Sequence, residues 1–138
     1  SAGEDRYRGY RRALEAHAIT YDERLIAEGN YSQKSGYTAM RILLAQAPDA
    51  VFVSSDLMAF GAQRAIREAK LRIPEDIAMV GFDDIPEAAI AEPPLTTIHQ
   101  PIETLGFMAV ELLQEAINQN HGVVESRVLP VELVVRST

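Results

Sequence analysis

Cysteine and tryptophan are absent from this 138-residue chain, histidine occurs three times, and lysine occurs only at Lys34 and Lys70. Without cysteine there is no disulfide framework, thiolate metal site or thiol nucleophile, and the composition suits a reducing cytoplasm. Positive charge is also in short supply. Thirteen Lys and Arg against twenty Asp and Glu leave a formal charge of −7, and the longest basic run is Arg11-Arg12. Such a surface repels phosphate backbones, so the chain by itself is not expected to bind DNA or RNA. No run of about 18 apolar residues occurs, which argues against a spanning helix, and no charged-then-apolar leader is expected. The chain opens Ser-Ala-Gly without Met and enters a helix within a few residues, so it reads as a piece of something longer.

A chain of 138 residues is one domain in size and can bury a core without disulfides or metal. From about Asp5 to Ala18, Tyr7, Tyr10, Leu14, His17 and Ala18 recur at helical spacing and predict an amphipathic helix. Leu25 to Glu28 is a short strand candidate closed by Gly29-Asn30, and Ser32 to Ala47 is the next helix, ended by Pro48-Asp49. Ala50 to Ser54 is an apolar run of the kind a strand shows when both faces are covered. Asp56 then reads as the N-cap of a helix to about Lys70, with Met58, Ala62, Ala65, Ile66 and Ala69 on one stripe and Leu57 and Phe60 on another side. Ile77 to Phe82 is a strand ending at Asp83-Asp84, Pro86 to Ala91 a helical turn stopped by Pro93-Pro94, and Leu95 to Ile98 another strand. Pro101 starts a helix whose stripe from Leu105 to Ile117 is broader than one packed face requires. After a polar turn at 118–122, Arg127 to Arg136 is a final strand whose Pro130 suggests an edge or a bulge. This alternation predicts an α/β fold: a mainly parallel sheet with helices on both faces, built from right-handed crossovers.

Groups able to carry chemistry are few. Ligands of an open parallel sheet collect outside the carboxyl ends of the strands, where Asp83 and Asp84 fall. Acids before Ile-Pro are also good helix caps, and both readings can hold at once, one acid capping while the other faces the cleft. A phosphoacceptor site would need a lysine at another strand end, whereas Lys34 and Lys70 both fall on helices. His17 lies at the edge of an apolar stripe, His99 follows a strand and His121 sits in a turn, so no pair has metal-ligand spacing and no metal is expected. Ser54-Ser55 lack the G-x-S-x-G elbow, and the glycines form neither G-x-G-x-x-G nor a P-loop. What remains is Arg6, Tyr31, Ser55 and Asp83 near strand ends. A guanidinium, an aromatic face, a hydroxyl and a carboxylate are what a small polyhydroxylated ligand requires.

Five segments together, DRYRGYRRALEAHAI, AEGNYSQKSGYTAMRILL, AVFVSSDLMAFGAQRAIREAKLRIPEDIAMVGFDDI, PPLTTIHQPIETLGFMAVELL and RVLPVELVVRST, resemble the effector-binding half of a LacI/GalR-family bacterial transcription repressor. The resemblance spans nearly the whole chain in order. It implies one lobe (1–138) of a two-lobed, periplasmic-binding-protein-like core, truncated, in which about 102–120 crosses to the absent first lobe and 127–136 returns as the last strand. It implies effector contacts at Arg6, Tyr31, Ser55, Asp83 and, more loosely, Ile102. Ser55 departs from the more usual Asn, and Ile102 from an aromatic seen in some members. It further implies a homodimer face with Leu57, Phe60, Ala88 and Ala91, a sugar-like effector, DNA bound only through an absent head, cytoplasmic location, no membrane, no cofactor and no catalysis. A transport-type sugar-binding protein of the same fold and an enzyme on a doubly wound sheet are the competing readings. The second would need a nucleophile and base that the chain does not offer.

Overall fold

In the computed structural model, residues 2–118 and 126–138 are described. Most of the polar turn expected at 118–122, with His121, lies outside them. The described chain forms α1 (Ala2–Ala16), α2 (Gln33–Leu43), β1 (Ala50–Phe52), α3 (Asp56–Glu68), β2 (Ala78–Asp83), α4 (Pro86–Ile90), β3 (Thr97–His99), α5 (Ile102–Asn118) and β4 (Glu132–Val134), with short 3-10 turns at Glu23–Leu25 and Leu44–Gln46. The sheet order is β1-β2-β3-β4. The first two pairings are parallel and the third is antiparallel, with Ala50 opposite Ala78, Gly81 opposite Thr97 and Ile98 opposite Leu133. The mainly parallel α/β sheet expected from the alternation is therefore present, with one antiparallel edge strand.

Local chemistry explains where the helices begin. The Ser32 hydroxyl accepts from the Ser35 amide at 3.1 Å and starts α2, and the Ser55 hydroxyl accepts from the Met58 amide at 3.3 Å and starts α3. The cap of α3 is thus Ser55. Asp56, expected in that role, is instead the first helical residue, with its carboxylate turned inward. Helices α2 and α3 pack along each other where Gly36 and Gly61 let the two backbones approach. Their inner residues Met40, Leu43, Met58, Ala62, Ala65 and Ile66 close over Val53, Ile77, Met79 and Leu95 as one core. Burying a side chain the size of Met40, Ile66 or Met79 contributes about 1.5–3 kcal/mol each.

Strand alternation divides β2 between two faces. Met79 and Gly81 point into this core, whereas Val80 and Phe82 point the other way and are half-buried. On that second face Phe52 and Phe82 meet edge to face at 6.4 Å, and Arg6 of α1 lies over Phe82. Neither α1 nor α5 buries a residue, and α5 leaves Ile102, Leu105, Phe107, Val110, Leu113 and Ile117 exposed. The broad stripe of α5 therefore has no covering element among the described residues.

Two further expectations are corrected, the strand at Leu25 to Glu28 and a helix cap from the Asp83-Asp84 pair, and the final strand stands at the edge as expected but is shorter. Leu25 to Glu28 forms no strand: Glu23–Leu25 is a 3-10 turn capped by Asp22, and the extended backbone that follows at Ile26 has no ladder partner. The final strand pairs only over Glu132–Val134, at the sheet edge, and Pro130 lies before the ladder, where its missing amide costs no pairing. Asp84 does not cap α4, whose N-cap is Ile85 with no side-chain bond. The Asp84 carboxylate instead accepts from Arg136 Nη2 at 2.6 Å and pairs with His99 Nδ1 at 2.9 Å, pinning the chain just beyond β4 to the end of β2.

Burial alone would raise the Asp84 carboxyl. The hydrogen bonds from Arg136 and His99, and their charges, outweigh it and hold the group below the usual carboxylate range. A carboxyl depressed on folding stabilises the fold above its unfolded pKa of about 3.9 and loses that contribution as pH falls through the folded value. Arg136→Ala should therefore cost about 2 kcal/mol at neutral pH and distinctly less near pH 2. Urea unfolding at the two pH values checks this; an equal cost at both would show that the Arg136 packing matters and the ion pair does not.

Candidate functional site

The parallel strands β1, β2 and β3 deliver Ser54, Asp83 and Gln100 to one edge of the sheet, the edge where ligands of open α/β sheets collect. Arg6 reaches this edge from α1. Its Nη1 donates to the Ser54 carbonyl at 2.8 Å, and its Nη2 stands 3.8 Å from Asp83 Oδ1. The guanidinium lies 3.9 Å above the Phe82 ring centroid and 5.8 Å from that of Tyr31. Four contacts thus hold a side chain that is only 15% exposed, so the guanidinium is fixed in place.

Asp83 faces it. Gln100 Nε2 donates to Asp83 Oδ1 at 2.7 Å. Burial pushes the Asp83 carboxyl above the ordinary value, with Arg6 and Gln100 opposing that shift. Its backbone sits at φ 124°, a conformation that L residues rarely adopt, and Asp84 follows at φ 59°. Tyr31 also has positive φ, at 63°, and its ring is more than a third exposed toward the same space. Asn30 fixes that bend, its side-chain oxygen accepting from the Ser32 amide and hydroxyl.

Arg6, Tyr31, Ser54 and Asp83 line a cleft of about 1120 Å³ that continues along Leu25 to Gly29 and Ala50 to Phe52. Tyr7 and Tyr21 form part of its wall, their hydroxyls 2.8 Å apart. The structure thus brings Arg6, Tyr31 and Asp83 together. Two other expected contacts stand apart. Ser55 is buried, with its hydroxyl engaged as the α3 cap, and its neighbour Ser54 supplies the polar group at the cleft. Ile102, at the start of α5, is 56% exposed and does not line the cleft. Gln100 was missed by the sequence reading. The register that sets His99 opposite Asp83 puts the next residue beside that acid, a signal available only once the strands are aligned.

The expected dimer face is divided in the same way. Leu57 is half exposed, while Phe60 packs partly against the core. Ala88 is wholly buried inside the lobe, where its carbonyl accepts from the Leu95 amide, so its side chain has no surface to offer a partner. Ala91 is half-buried, and the exposed apolar group of this region is Ile90, at 83%. Chemically, the cleft offers hydrogen-bond donors, a carboxylate and ring faces. His99 is engaged with Asp84, and no cluster of potential metal ligands exists among the described residues.

The chain is thus a mainly parallel α/β lobe with an open cleft that reaches the carboxyl ends of its strands. The periplasmic binding protein-like domain family matches residues 1–138, and the chain belongs to that family. It is 44% identical over 99% of its length to the HTH-type transcriptional regulator CelR of Thermobifida fusca, covering 41% of that protein. Among solved structures it is similar to a transcriptional regulator CelR–cellobiose complex, with a TM-score of 0.94 and 43% identity over 98% of this chain and 42% of the other. It is also similar to a LacI family transcriptional regulator from Enterococcus faecium with bound ribose, with a TM-score of 0.86 and 35% identity over 96% of this chain and 49% of the other. Its homologues are thus LacI-family regulators, and the chain spans about two fifths to one half of the length of those it matches. No helix among the described residues is long and apolar enough to cross a membrane.

Proposed function

We propose that the chain is the second lobe of the effector-binding core of a LacI/GalR-family repressor and binds a small neutral polyol, a sugar, without turning it over. The observation that carries this is the convergence of Arg6, Asp83 and Tyr31 on one cleft at the strand ends. A carboxylate accepts from two vicinal hydroxyls, a guanidinium donates to ring and hydroxyl oxygens, and an aromatic face covers the apolar side of a sugar. Two related regulators with bound cellobiose and ribose support the ligand class. Ile102 would join from the start of α5, and Ser55 would act through the helix it caps. Similarity to transcriptional regulators favours this reading over both the transport-protein and the enzyme alternatives.

In the intact protein the effector would sit between this lobe and a second one, which would cover the apolar stripe of α5. Effector would then favour one arrangement of the lobes, and with it one affinity of the separate head for DNA in the cytoplasm. Only a difference in effector affinity between two arrangements can do this. Titration calorimetry of the intact regulator with ribose and cellobiose tests the reading. Binding is expected for the intact protein and not, at micromolar level, for this lobe alone, which owns about half of the contacts. Micromolar affinity of the isolated lobe would contradict the two-lobed site.

Leu57 and Phe60 on α3, with Ile90 and Ala91 at the end of α4, would form the homodimer face. Leu57→Asp should shift the intact regulator toward monomer at micromolar concentration by sedimentation equilibrium. A dimer unaffected by the charge would place the interface elsewhere.

A further inference from the structure

Beside the cleft lies a carboxylate with no exposure at all that touches none of the proposed effector contacts through its side chain. Asp56 Oδ1 accepts from the Thr97 hydroxyl at 2.6 Å, and Asp56 Oδ2 accepts from the Ile85 amide at 3.0 Å. Both oxygens are therefore spent inside the lobe, on β3 and on the turn after β2. Gly81 makes the room: a Cβ there would run into Asp56 Oδ1. Helix start, glycine, threonine and turn amide form one junction, and they come from the D-L-M-A, V-G-F-D-D and L-T-T-I segments.

What this junction holds is the peptide that follows two residues of positive φ, Asp83 and Asp84. L residues seldom stay in that region unless their surroundings impose it. The Ile85 bond to Asp56 clamps the far side of this bend. We infer that Asp56 is a positioning residue for Asp83: by tying α3, β3 and the 83–85 turn together, it fixes where that carboxylate stands at the cleft. The inference rests on Asp83 being an effector contact, as proposed above.

Hydrogen exchange of the intact regulator, read by mass spectrometry, tests it with Asp56→Ala and Asp56→Asn. Asn can still accept from the Ile85 amide but no longer from the Thr97 hydroxyl, so its Asp83 to Ala88 peptides should be accelerated less than those of Ala. With Ala, peptides covering Asp83 to Ala88 should exchange about tenfold faster relative to those covering Ala50 to Val53, and affinity for whichever of ribose or cellobiose binds should fall about tenfold. If Asp56→Ala does not fold, Thr97→Val, which removes one of the two donors, should show the same local acceleration at smaller size. Acceleration spread evenly over the lobe, or a folded Asp56→Ala protein with unchanged affinity, would overturn the inference. Asp83→Asn measured alongside separates the two ideas. Unchanged affinity there defeats Asp83 as a contact, while the local exchange still reports whether Asp56 holds the turn.

Discussion

Asp83→Asn in the intact regulator is expected to weaken effector binding by about 100-fold, the loss of two charge-assisted acceptors for ligand hydroxyls. The same substitution should leave the fold intact and raise its melting temperature by a few degrees. The sign follows from the carboxyl's environment. Burial lifts Asp83 above its ordinary value, more than Arg6 and Gln100 lower it, so the charged form is less at ease in the folded chain than in the unfolded one. An acid of that kind costs stability at pH values above its unfolded pKa and costs nothing once both states are protonated. Asparagine removes the cost at neutral pH. The melting difference should accordingly shrink below about pH 4. Calorimetric titration and melting curves at two pH values check both parts. An unchanged affinity would reduce Asp83 to a partner of Gln100, and a lower melting temperature would show that its pairing with Arg6 outweighs its burial.

The second large effect concerns the scaffold. Gly61 and Gly36 sit where α3 and α2 touch backbone to backbone: a Cβ on Gly61 would strike the Gln33 carbonyl and the Tyr37 amide, and one on Gly36 would strike the Met58 main chain. Flexible side chains could move aside, but main-chain atoms inside helices yield only if the helices separate. Gly61→Ala should cost about 3 kcal/mol, a large share of the stability of a domain of this size. Gly106 provides the internal comparison. It lies in exposed α5 with nothing near its Cβ position, so Gly106→Ala should stabilise by about 0.5–1 kcal/mol. Urea midpoints of the two variants check the pair of signs. A tolerated Gly61→Ala would mean that α2 and α3 are spaced more widely than described.

The alternation of helices and apolar runs made the α/β sheet legible from the sequence, because strand and helix periods are local properties of the chain. The strand at Ile77 to Phe82, ending at Asp83-Asp84, was equally plain. Pairing was not. Leu25 to Glu28 has strand-like composition, but composition does not say whether a neighbouring edge lies within reach, and here it faces the cleft rather than a ladder. The division of labour between adjacent residues was also hidden. Ser55 and Asp56 are both competent caps and both polar groups at a strand end. Only the packing of Gly81 and Thr97 decides that the serine caps and the aspartate is buried. Asp84 was hidden for a similar reason, since its partner Arg136 is 52 residues away in the chain. Arg6, Tyr31 and Asp83 stand around one cleft, whereas the place of Gln100 beside Asp83 needed the register between β2 and β3 to be found.

The central claim is that the strand-end edge carrying Arg6, Tyr31 and Asp83 is where this lobe meets a sugar. A crystal structure of the intact regulator with its tightest-binding sugar tests it most directly. The expected result is a ligand held between two lobes, with hydroxyls within hydrogen-bond distance of the Asp83 carboxylate and the Arg6 guanidinium and a ring face on Tyr31. A sugar bound elsewhere, with Asp83 still closed on Gln100 and Arg6 still on the Ser54 carbonyl, would contradict it.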